Sequence, residues 1–482
     1  MYPDLNAFLA DLDGRGWLTR VADQVSPDLE ISAVTDLACK SPGGGPALLF
    51  EHPTGHSIPV ATNLFGSMER MCLALGVRTL DDLAKEIDAF VTPKMPTGLL
   101  DAIKLLPTVG RLRDLMPRMV RDAPCQEMVR ENATLDDFPI LRCWPEDGGR
   151  YITFPLVITR DPETGVRNIG AYRMQVFDGR STGMHWQRHK GGAQHYRTAE
   201  KLGRRLPVAV ALGPDPVLAY SATAPMPEGL DELLLAGFLS KQRVDLVKCV
   251  SIDLEVPANA HIVLEGYVEP GERRREGPFG DHTGFYSLAD NFPVFHIQCI
   301  TRRAHPVYLT TVVGIPPMED YYLGKASERI FLPMIRKTLP EIVDMHFPAE
   351  GIFHNLVIVS VDKRYPGHAR KIMNAFWGLG QLMFSKTIIV VDKDVNVQDE
   401  REVAWIVGTH MDPLRDIQFT RGPMDDLENA SDLPAYGSKM GIDATRKWVS
   451  EGFTREWPAR IVTTEEAGRR AARVWEGLPR TR

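Results

Sequence analysis

The segment from Arg275 to Tyr286 places two carboxylates, Glu276 and Asp281, five residues apart across a Gly-Pro-Phe-Gly turn. Glycine admits backbone angles that are closed to other residues, so such a turn can direct both acids into one pocket. Two acids that share a pocket tend to titrate apart, one staying charged while the other holds a proton. The pattern therefore predicts a proton-handling site. The alternative is a solvated turn whose acids pair with the arginines at 273–275.

A second group of polar residues lies in a strand-like stretch that begins at Asn168. Asn168 and Arg173 are an odd number of residues apart, so on a regular strand they would face opposite sides. One could hold a phosphate or metal while the other meets a substrate carboxylate, for which a planar guanidinium is well shaped. The alternative is an ordinary strand with polar residues at its ends.

Two histidines and a pair of glycines come next in the chain. His185 and His189 are four residues apart, which on a helix would suit two ligands of one metal. The glutamate that would complete a zinc-protease motif is missing from this segment. Lys190, Gly191 and Gly192 instead indicate a backbone that closely approaches an anion. The alternative is a polar loop with hydrogen-bonded, structural histidines.

Glu232 stands at the start of an apolar, helical run that extends to Phe238. Acids in the first turn of a helix usually stabilise its dipole, which is the simpler interpretation. Asn168, His189 and Glu232 together would nevertheless form a mixed nitrogen and oxygen ligand set suited to Mn(II). No Walker A or GxGxxG motif opens a βαβ unit in this sequence, and the GxSxG nucleophile motif is missing.

The chain has 482 residues, which is too long for one compact core and predicts two or three domains. Its net charge of -7 and its lack of a long basic run argue against nucleic-acid binding. The N-terminus lacks the features of a secretory signal, and the apolar runs are far too short to cross a bilayer. Six scattered cysteines without a CxxC pair predict reduced thiols and a cytoplasmic location.

The elements that must position these residues change in character along the chain. The first hundred or so residues mix helical and strand patterns. From 140 to 311, short β-type runs alternate with turns, which suggests a barrel or sandwich. A helix-like stretch at 323–339 leads into a strand at 353–361, a helix at 369–383 and a fully apolar strand at 387–391. That order predicts a parallel sheet covered by helices.

Taken in order, these segments resemble the UbiD family of decarboxylases, and the resemblance covers nearly the whole chain. The matching stretches are Asn168 to Arg173, Trp186 to Gly192, Glu232 with Ala236-Gly237, Glu276 to Gly284, and Ser438 to Thr445. The resemblance implies reversible, non-oxidative decarboxylation of an aromatic or α,β-unsaturated carboxylic acid. It also implies a prenylated FMN cofactor, held through its phosphate by Mn(II) and often a potassium ion.

The functional positions of the family carry over to this sequence residue by residue. The catalytic network matches Arg173, Glu276 and Asp281. Arg173 would polarise the substrate or cofactor and keep Glu276 charged, and Asp281 would return a proton after CO2 leaves. The metal positions match Asn168, His189 and Glu232. The cofactor-contacting positions match Asn168, Ala171, Tyr172, Arg173, His185, Trp186, Gln187, His189, Lys190, Gly191, Glu232 and, before the apolar strand, Lys386.

Two stretches favour one branch of the family. The ubiquinone branch tends to have Arg-Trp-Leu where this chain has His185-Trp186-Gln187, and Gly314 to Lys325 resembles the menaquinone and aromatic-acid branch. A hydroxylated aromatic or naphthoic acid is therefore expected as substrate, rather than a polyprenylbenzoate. The alternatives are a 4-hydroxy-3-polyprenylbenzoate decarboxylase, an FMN-dependent reductase on a similar split barrel, and a cofactor-binding protein without turnover.

The resemblance also implies a mixed α/β and β fold. An N-terminal α/β unit (1–120) would precede a split β-barrel that binds prenylated FMN (121–320). A linking helix (321–345) would then lead to a C-terminal α/β domain (346–482). The C-terminal domain is the family's usual dimerising element, so a homodimer or homohexamer is expected. A flavin prenyltransferase is the expected supplier of the cofactor.

Overall fold

A four-stranded sheet flanked by helices comes first in the computed structural model, which describes residues 1–91, 115–130, 134–188, 190–226 and 231–478. Its strands lie in the order Leu18–Val25, Ala47–Pro53, Val60–Thr62 and Tyr308–Leu309. The helices around it are Leu5–Gly14, Glu30–Cys39, Met68–Ala74 and Leu80–Val91. Leu5 and Phe8 of the first helix share one apolar core with Phe154 and Leu309, so this sheet packs firmly on the strands that follow.

Among the described residues, nine strands form an antiparallel sheet in the middle of the chain. Its two longest strands pair along most of their length, and their register shifts twice. Bulges of this kind bend a strand and increase its twist, which helps a sheet to curl. Eight strands follow the order Tyr151–Ile152, Met174–Asp178, Ser181–Gly183, Asp290–Arg302, Ile262–Glu276, Leu206–Leu212, Leu156–Arg160 and Arg167–Ala171, and Met128–Arg130 pairs with Asp290–Arg302.

One short connection explains the curl of this sheet. Arg167–Ala171 is an edge strand, whereas Met174–Asp178 lies beside the strand at the opposite edge. In the chain, Tyr172 and Arg173 alone separate these two strands. Such a short link forces the two edges together, because a few residues can span only about 10 Å. The sheet therefore closes into a half-barrel, and Arg173 lies at its seam.

Smaller elements attach to the half-barrel and carry several of the polar segments. The turn between the two acids forms a short hairpin of Phe279–Gly280 with Tyr286–Ser287. A further small sheet consists of Glu255–Pro257, Asp245–Lys248 and Arg118–Met119, and the helices are Gly191–Lys201, Pro216–Ser221 and Glu232–Ser240.

The helix Glu319–Thr338 leads from the half-barrel into a second α/β layer. Within the fully described range 231–478, the strands of this layer lie in the order Ile342–His346, Leu356–Val361, Thr387–Asp392, Tyr436–Asp443 and Ile417–Pro423. The three central strands are parallel. Their helices are His368–Trp377, Glu400–His410 and Pro413–Asp416, and helix Glu465–Glu476 follows.

The mixed fold class predicted from the sequence is confirmed. The apolar runs at 353–361 and 387–391 do form neighbouring parallel strands, joined by a helix. That helix ends at Trp377 rather than at 383, because Gly378 follows and a separate 3-10 turn, Gly380–Phe384, takes over. None of the six cysteines forms a disulfide in the part of the chain that the structure describes. Among the described helices, none is both long and apolar enough to span a bilayer.

Candidate active site

Arg173 binds both acids of the Gly-Pro-Phe-Gly turn from the seam of the half-barrel. Its Nε donates to Glu276 Oε1 over 3.1 Å, and its Nη1 donates to Asp281 Oδ2. Its Nη2 donates to Ser287 Oγ over 2.9 Å. The guanidinium carbon lies 4.8 Å from the centre of the Phe279 ring. One buried cation thus connects two carboxylates that lie more than a hundred residues away in the chain.

Two polar side chains outside this cluster hold the turn that carries both acids. Asp147 accepts the Gly280 N–H over 2.7 Å and two N–H groups of its own loop. Gln175 accepts the Gly277 N–H over 2.8 Å. Gly277 has φ +101°, a conformation that favours glycine, and a Cβ there would lie 2.9 Å from a backbone atom of Ala289. The turn is therefore fixed by side chains that contact backbone alone.

Glu276 is fully buried, and two partners stabilise its charge. Its Oε2 lies 2.9 Å from His185 Nδ1, and Arg173 binds its other oxygen. Burial alone would raise its pKa, but the hydrogen bond from His185 and the charge of Arg173 outweigh it, so the pKa lies below its usual range. Burial and Arg173 lower the pKa of His185, which keeps that ring neutral. Glu276 is therefore a fixed, charged carboxylate.

Asp281 is bound from two sides. Arg173 binds Oδ2, whereas Oδ1 lies 2.7 Å from the backbone nitrogen of His282 and 2.9 Å from its ring Nδ1. Burial would raise the pKa of Asp281, but the Arg173 charge and the His282 hydrogen bonds outweigh it, and the pKa falls well below its usual range. Burial lowers the pKa of His282, but the hydrogen bond and charge of Asp281 raise it more. The contact therefore favours a carboxylate on Asp281 and a proton on the ring of His282.

Asn168 and Glu232 offer oxygen ligands beside this cluster. Glu232 Oε2 accepts the N–H of Ile169, the neighbour of Asn168, over 2.9 Å, so the two residues lie together. Burial raises the pKa of Glu232 to about 7, and a bound cation would offset that burial. A Cβ on Gly191 would lie 2.1 Å from Asn168 Oδ1. An amide and a carboxylate oxygen fit a cation such as Mn(II). His189, the third predicted ligand, lies outside the described residues.

The segments predicted to contact the cofactor contain polar groups whose hydrogen bonds to the described residues are missing or long. Trp186 Nε1 is buried, and among the described residues it has no hydrogen-bond acceptor. A Cβ on Gly192 would lie 2.5 Å from it, so glycine is required for this close packing. Lys190 forms no ion pair within the described ranges, and its Nζ lies 3.5 Å from Gln381 Oε1. A free cation at the start of helix Gly191–Lys201 fits a phosphate group.

The remaining cofactor positions surround these groups. Ala171 ends the edge strand, and its N–H donates to the Ala222 carbonyl over 3.1 Å. The Tyr172 hydroxyl lies 3.3 Å from Asn168 Nδ2, and the Gln187 carbonyl accepts the Lys190 N–H over 3.0 Å. The Gly192 N–H donates to the Tyr172 hydroxyl over 3.4 Å, and the His185 N–H donates to the Arg173 carbonyl over 3.3 Å, so the two predicted cofactor segments lie together.

The C-terminal layer also reaches the site through the loop that precedes strand Leu356–Val361. The ring of His282 has its centre 5.4 Å from that of Phe353 and 6.1 Å from that of His354. Lys386 donates its backbone N–H to the His354 carbonyl over 2.9 Å, and its ammonium pairs with Glu428 over 2.7 Å. A phosphate contact by Lys386 stays a prediction.

Two structural premises of the sequence interpretation are wrong. Asn168 and Arg173 do not share a regular strand, because the edge strand ends at Ala171 and Arg173 lies in the link that follows. His185 is not helical, because the helix begins only at Gly191. The spacing rules that assumed a strand and a helix therefore do not apply at these positions.

The arginines at 273–275 are not the partners of the acids either. Arg273 pairs with Glu200 over 2.9 Å, and Arg274 lies 3.9 Å from Asp178. Neither contact involves Glu276 or Asp281. The sequence interpretation assigned no role to His282, Ser287, Asp147 or Gln175. His282 lies in the matching stretch Glu276 to Gly284 and directly follows Asp281, which is its signal in the sequence.

Three family models match the chain in sequence order. They describe 3-octaprenyl-4-hydroxybenzoate carboxy-lyase, whose N-terminal domain matches residues 9–89, Rift-related domain residues 118–316 and C-terminal domain residues 321–444. A protein of Archaeoglobus fulgidus is 52% identical over 482 residues, covering 99% of this chain and 98% of the relative.

Solved structures agree with these matches. The closed form of vanillic acid decarboxylase from Sedimentibacter hydroxybenzoicus covers 99% of both chains at 29% identity, with a TM-score of 0.86, and its open form gives 0.79. An evolved dimeric form of the UbiD-class enzyme HmfF from Pelotomaculum thermopropionicum, in complex with prenylated FMN, covers 95% of this chain and 97% of its own, at 31% identity and a TM-score of 0.78. With the half-barrel and its buried acid–arginine cluster, these matches show that the chain belongs to the UbiD family of carboxy-lyases.

Proposed function

We propose that this enzyme decarboxylates a hydroxylated aromatic acid without net oxidation, using prenylated FMN. The observation that carries the proposal is the buried cluster of Arg173 with Glu276 and Asp281. In this cluster one guanidinium pairs with two carboxylates, and all three side chains are shielded from water. A solvated salt bridge would not need such burial. A decarboxylase does, because it must bind an acid, exclude water and return one proton to carbon.

The residues present fit the cofactor and metal of the proposal. The buried Trp186 Nε1 and the Lys190 ammonium would hold the flavin and its phosphate, and Asn168 with Glu232 would hold Mn(II). We assign His189 to the same metal. Prenylated FMN, when bound, supplies the electron sink that loss of CO2 from an sp2 carbon requires. A potassium ion near the phosphate belongs to the same proposal.

Each member of the cluster has its own role. Arg173 polarises the substrate or cofactor, since its guanidinium stays charged while it holds both acids. Glu276 stays charged and keeps that guanidinium in place, because its other oxygen is bound to His185. Asp281 gives a proton to the carbon that loses CO2. Reversal at high CO2 would use the same groups in the opposite order.

A hydroxylated benzoate or naphthoate is the proposed substrate. The family resemblance at His185-Trp186-Gln187 and Gly314 to Lys325 supports this class over a polyprenylbenzoate. The similarity to a vanillic acid decarboxylase supports a small aromatic acid. A place in quinone biosynthesis, cytoplasmic location and assembly as a homodimer or homohexamer are further parts of the proposal.

The first test is the mass of the flavin released from enzyme that is co-produced with a flavin prenyltransferase. Prenylated FMN with CO2 release from vanillate, 3,4-dihydroxybenzoate or a hydroxynaphthoate supports the proposal. Unmodified FMN with consumption of NAD(P)H would instead indicate a reductase. No flavin would contradict both.

The second test replaces each acid. Glu276→Gln and Asp281→Asn are expected to lower turnover by at least about 100-fold, the scale of general acid–base catalysis, while flavin content stays unchanged. Full activity in both variants would contradict the assigned roles. His296→Asn is a suitable control, because His296 pairs with Glu272 over 2.6 Å away from the cluster.

A further inference from the structure

The proton that completes the reaction needs a source, and the resting geometry of Asp281 does not supply one. Loss of CO2 from a carboxylate leaves a carbon that takes up one proton in every turnover. Asp281 is buried, bound by Arg173 and held as a carboxylate, since its pKa lies well below the usual range. This inference rests on the proposed function, in which Asp281 is the acid. A neighbouring group must therefore protonate Asp281 during each cycle.

His282 contacts the one oxygen of Asp281 that Arg173 leaves free. Arg173 binds Oδ2, whereas His282 Nδ1 lies 2.9 Å from Oδ1. The other ring nitrogen of His282, Nε2, is buried and has no hydrogen-bond partner within the described ranges. Most buried polar groups in proteins have a hydrogen-bond partner, so an unpartnered nitrogen beside the acid calls for an explanation. The Nδ1 atom of the ring therefore contacts Asp281, whereas Nε2 has no partner among the described residues.

We propose that His282 stores the proton that Asp281 delivers to the substrate carbon. The imidazolium gives its Nδ1 proton to Asp281 Oδ1, which leaves a neutral ring with a proton on Nε2 and a neutral carboxylic acid. The carboxylic acid then transfers that proton to the carbon and returns to the carboxylate. The neutral ring regains one proton from water at the nitrogen that lost it. Each turnover thus consumes one solvent proton and leaves both residues unchanged.

The charges around His282 favour the imidazolium between turnovers. Asp281 faces it on the turn, Asp320 from the start of the helix Glu319–Thr338, and Asp425 and His354 from the C-terminal layer. Burial lowers the pKa of His354 to about 4, so that ring is neutral at pH 7 and does not repel His282. The three carboxyl groups therefore face one histidine cation.

The loop that contains Phe353 and His354 separates the proton on His282 from bulk water. The rings of Phe353 and His354 lie against the His282 ring, whose side chain is 18% exposed. Contact with this loop would hinder exchange of the proton with solvent during the reaction. Reloading would follow when these rings no longer cover His282.

The decisive variant is His282→Asn, because the asparagine Nδ2 takes the place of the imidazole Nδ1 and can still donate to Asp281 without titrating. In holoenzyme with unchanged flavin content, we expect kcat at pH 7.5 to fall about 10- to 100-fold. We expect a smaller loss at pH 5.5, because the higher concentration of solvent protons then protonates Asp281 more often without His282. Deuterium incorporation from D2O into the arene product should slow in parallel. His296→Asn is the matched control and should change neither.

A wild-type kcat and pH profile in His282→Asn would show that His282 only positions Asp281, and would overturn the inference. Asp281→Asn separates this result from failure of the proposed function, because loss of turnover there supports Asp281 as the acid whatever His282 does. An NMR titration of 13C-labelled histidine in the full-length wild-type protein, assigned with the variant, is independent of turnover. The ring of His282 should stay protonated at pH values above the ordinary pKa of histidine. A ring that is neutral at pH 6 would also overturn the inference.

Discussion

Replacing Arg173 by methionine would leave two buried carboxylates without their shared cation. The side chain of Arg173 is 8% exposed, that of Glu276 is 0% exposed and that of Asp281 is 9% exposed. Glu276 would retain its contact with His185, and Asp281 would retain its contacts with His282. Removing one partner of a buried ion pair costs about 3–5 kcal/mol, because the remaining charge is buried and uncompensated. We expect a loss of that size in the free energy of unfolding at pH 7.

The loss should depend on pH with a definite sign. The pKa values of Glu276 and Asp281 lie below their ordinary values in the folded protein. Their stabilising contribution is therefore fully present above the pKa values of the unfolded chain and is lost as the pH falls through the folded values. The stability difference between wild type and Arg173→Met should thus be largest near neutral pH and shrink below about pH 4.

Urea denaturation of the cofactor-free protein at pH 7 and at the lowest pH that it tolerates would measure this difference. Arg142→Met is the matched control, because Arg142 also makes two contacts with one carboxylate, Asp28, but at the surface. The decrease in the free energy of unfolding caused by Arg142→Met should be much smaller and less dependent on pH than that caused by Arg173→Met. Equal losses in the two variants, or a loss at Arg173 that does not change with pH, would refute the reasoning about burial.

Three further predictions concern the metal, the phosphate segment and the C-terminal layer. Gly191→Ala should lower the amounts of bound manganese and flavin, because the new Cβ would meet Asn168 Oδ1. Elemental analysis and absorbance would measure the two amounts. The control Gly14→Ala should retain both, because nothing lies within 4 Å of a Cβ at that position. Glu232→Gln should abolish the rise in Tm that added Mn(II) gives the wild type, and an unchanged rise would exclude Glu232 as a ligand. Lys439→Met should lower the free energy of unfolding by about 1–3 kcal/mol in a urea titration, because Lys439 donates to two carbonyls in the loop before Lys386; wild-type stability would contradict this.

The sequence predicts the C-terminal layer well, because local patterns decide it. The runs at 353–361 and 387–391 are short and continuously apolar, and such runs are buried on both faces of a parallel sheet. The observed strands, Leu356–Val361 and Thr387–Asp392, are parallel neighbours. Long-range pairing is less accessible to pattern analysis. The partnership of Ile262–Glu276 with Asp290–Arg302 includes register shifts that no periodicity reveals.

In the candidate site, too, local features can be predicted from the sequence and long-range contacts cannot. The sequence identifies both acids through their turn, and the family resemblance supplies Arg173 as their companion. Spacing alone misplaces Arg173, because it assumes a continuous strand where the chain instead crosses the seam of the half-barrel. The contact between His282 and Phe353 could not be predicted, because it joins two layers whose packing depends on the whole fold.

Asp147 illustrates a general difficulty in assigning roles from mutational data. Its carboxylate accepts three backbone N–H groups, one of them in the hairpin that carries Asp281. In a saturation mutagenesis scan that measures product formation, substitutions of Asp147 would therefore reduce activity as much as substitutions of the residues that transfer the proton. Yet it holds only the protein's own backbone in place. Sensitivity to substitution at this site reports how far a residue fixes geometry, and only a change in pH profile or isotope exchange distinguishes the residues that perform chemistry.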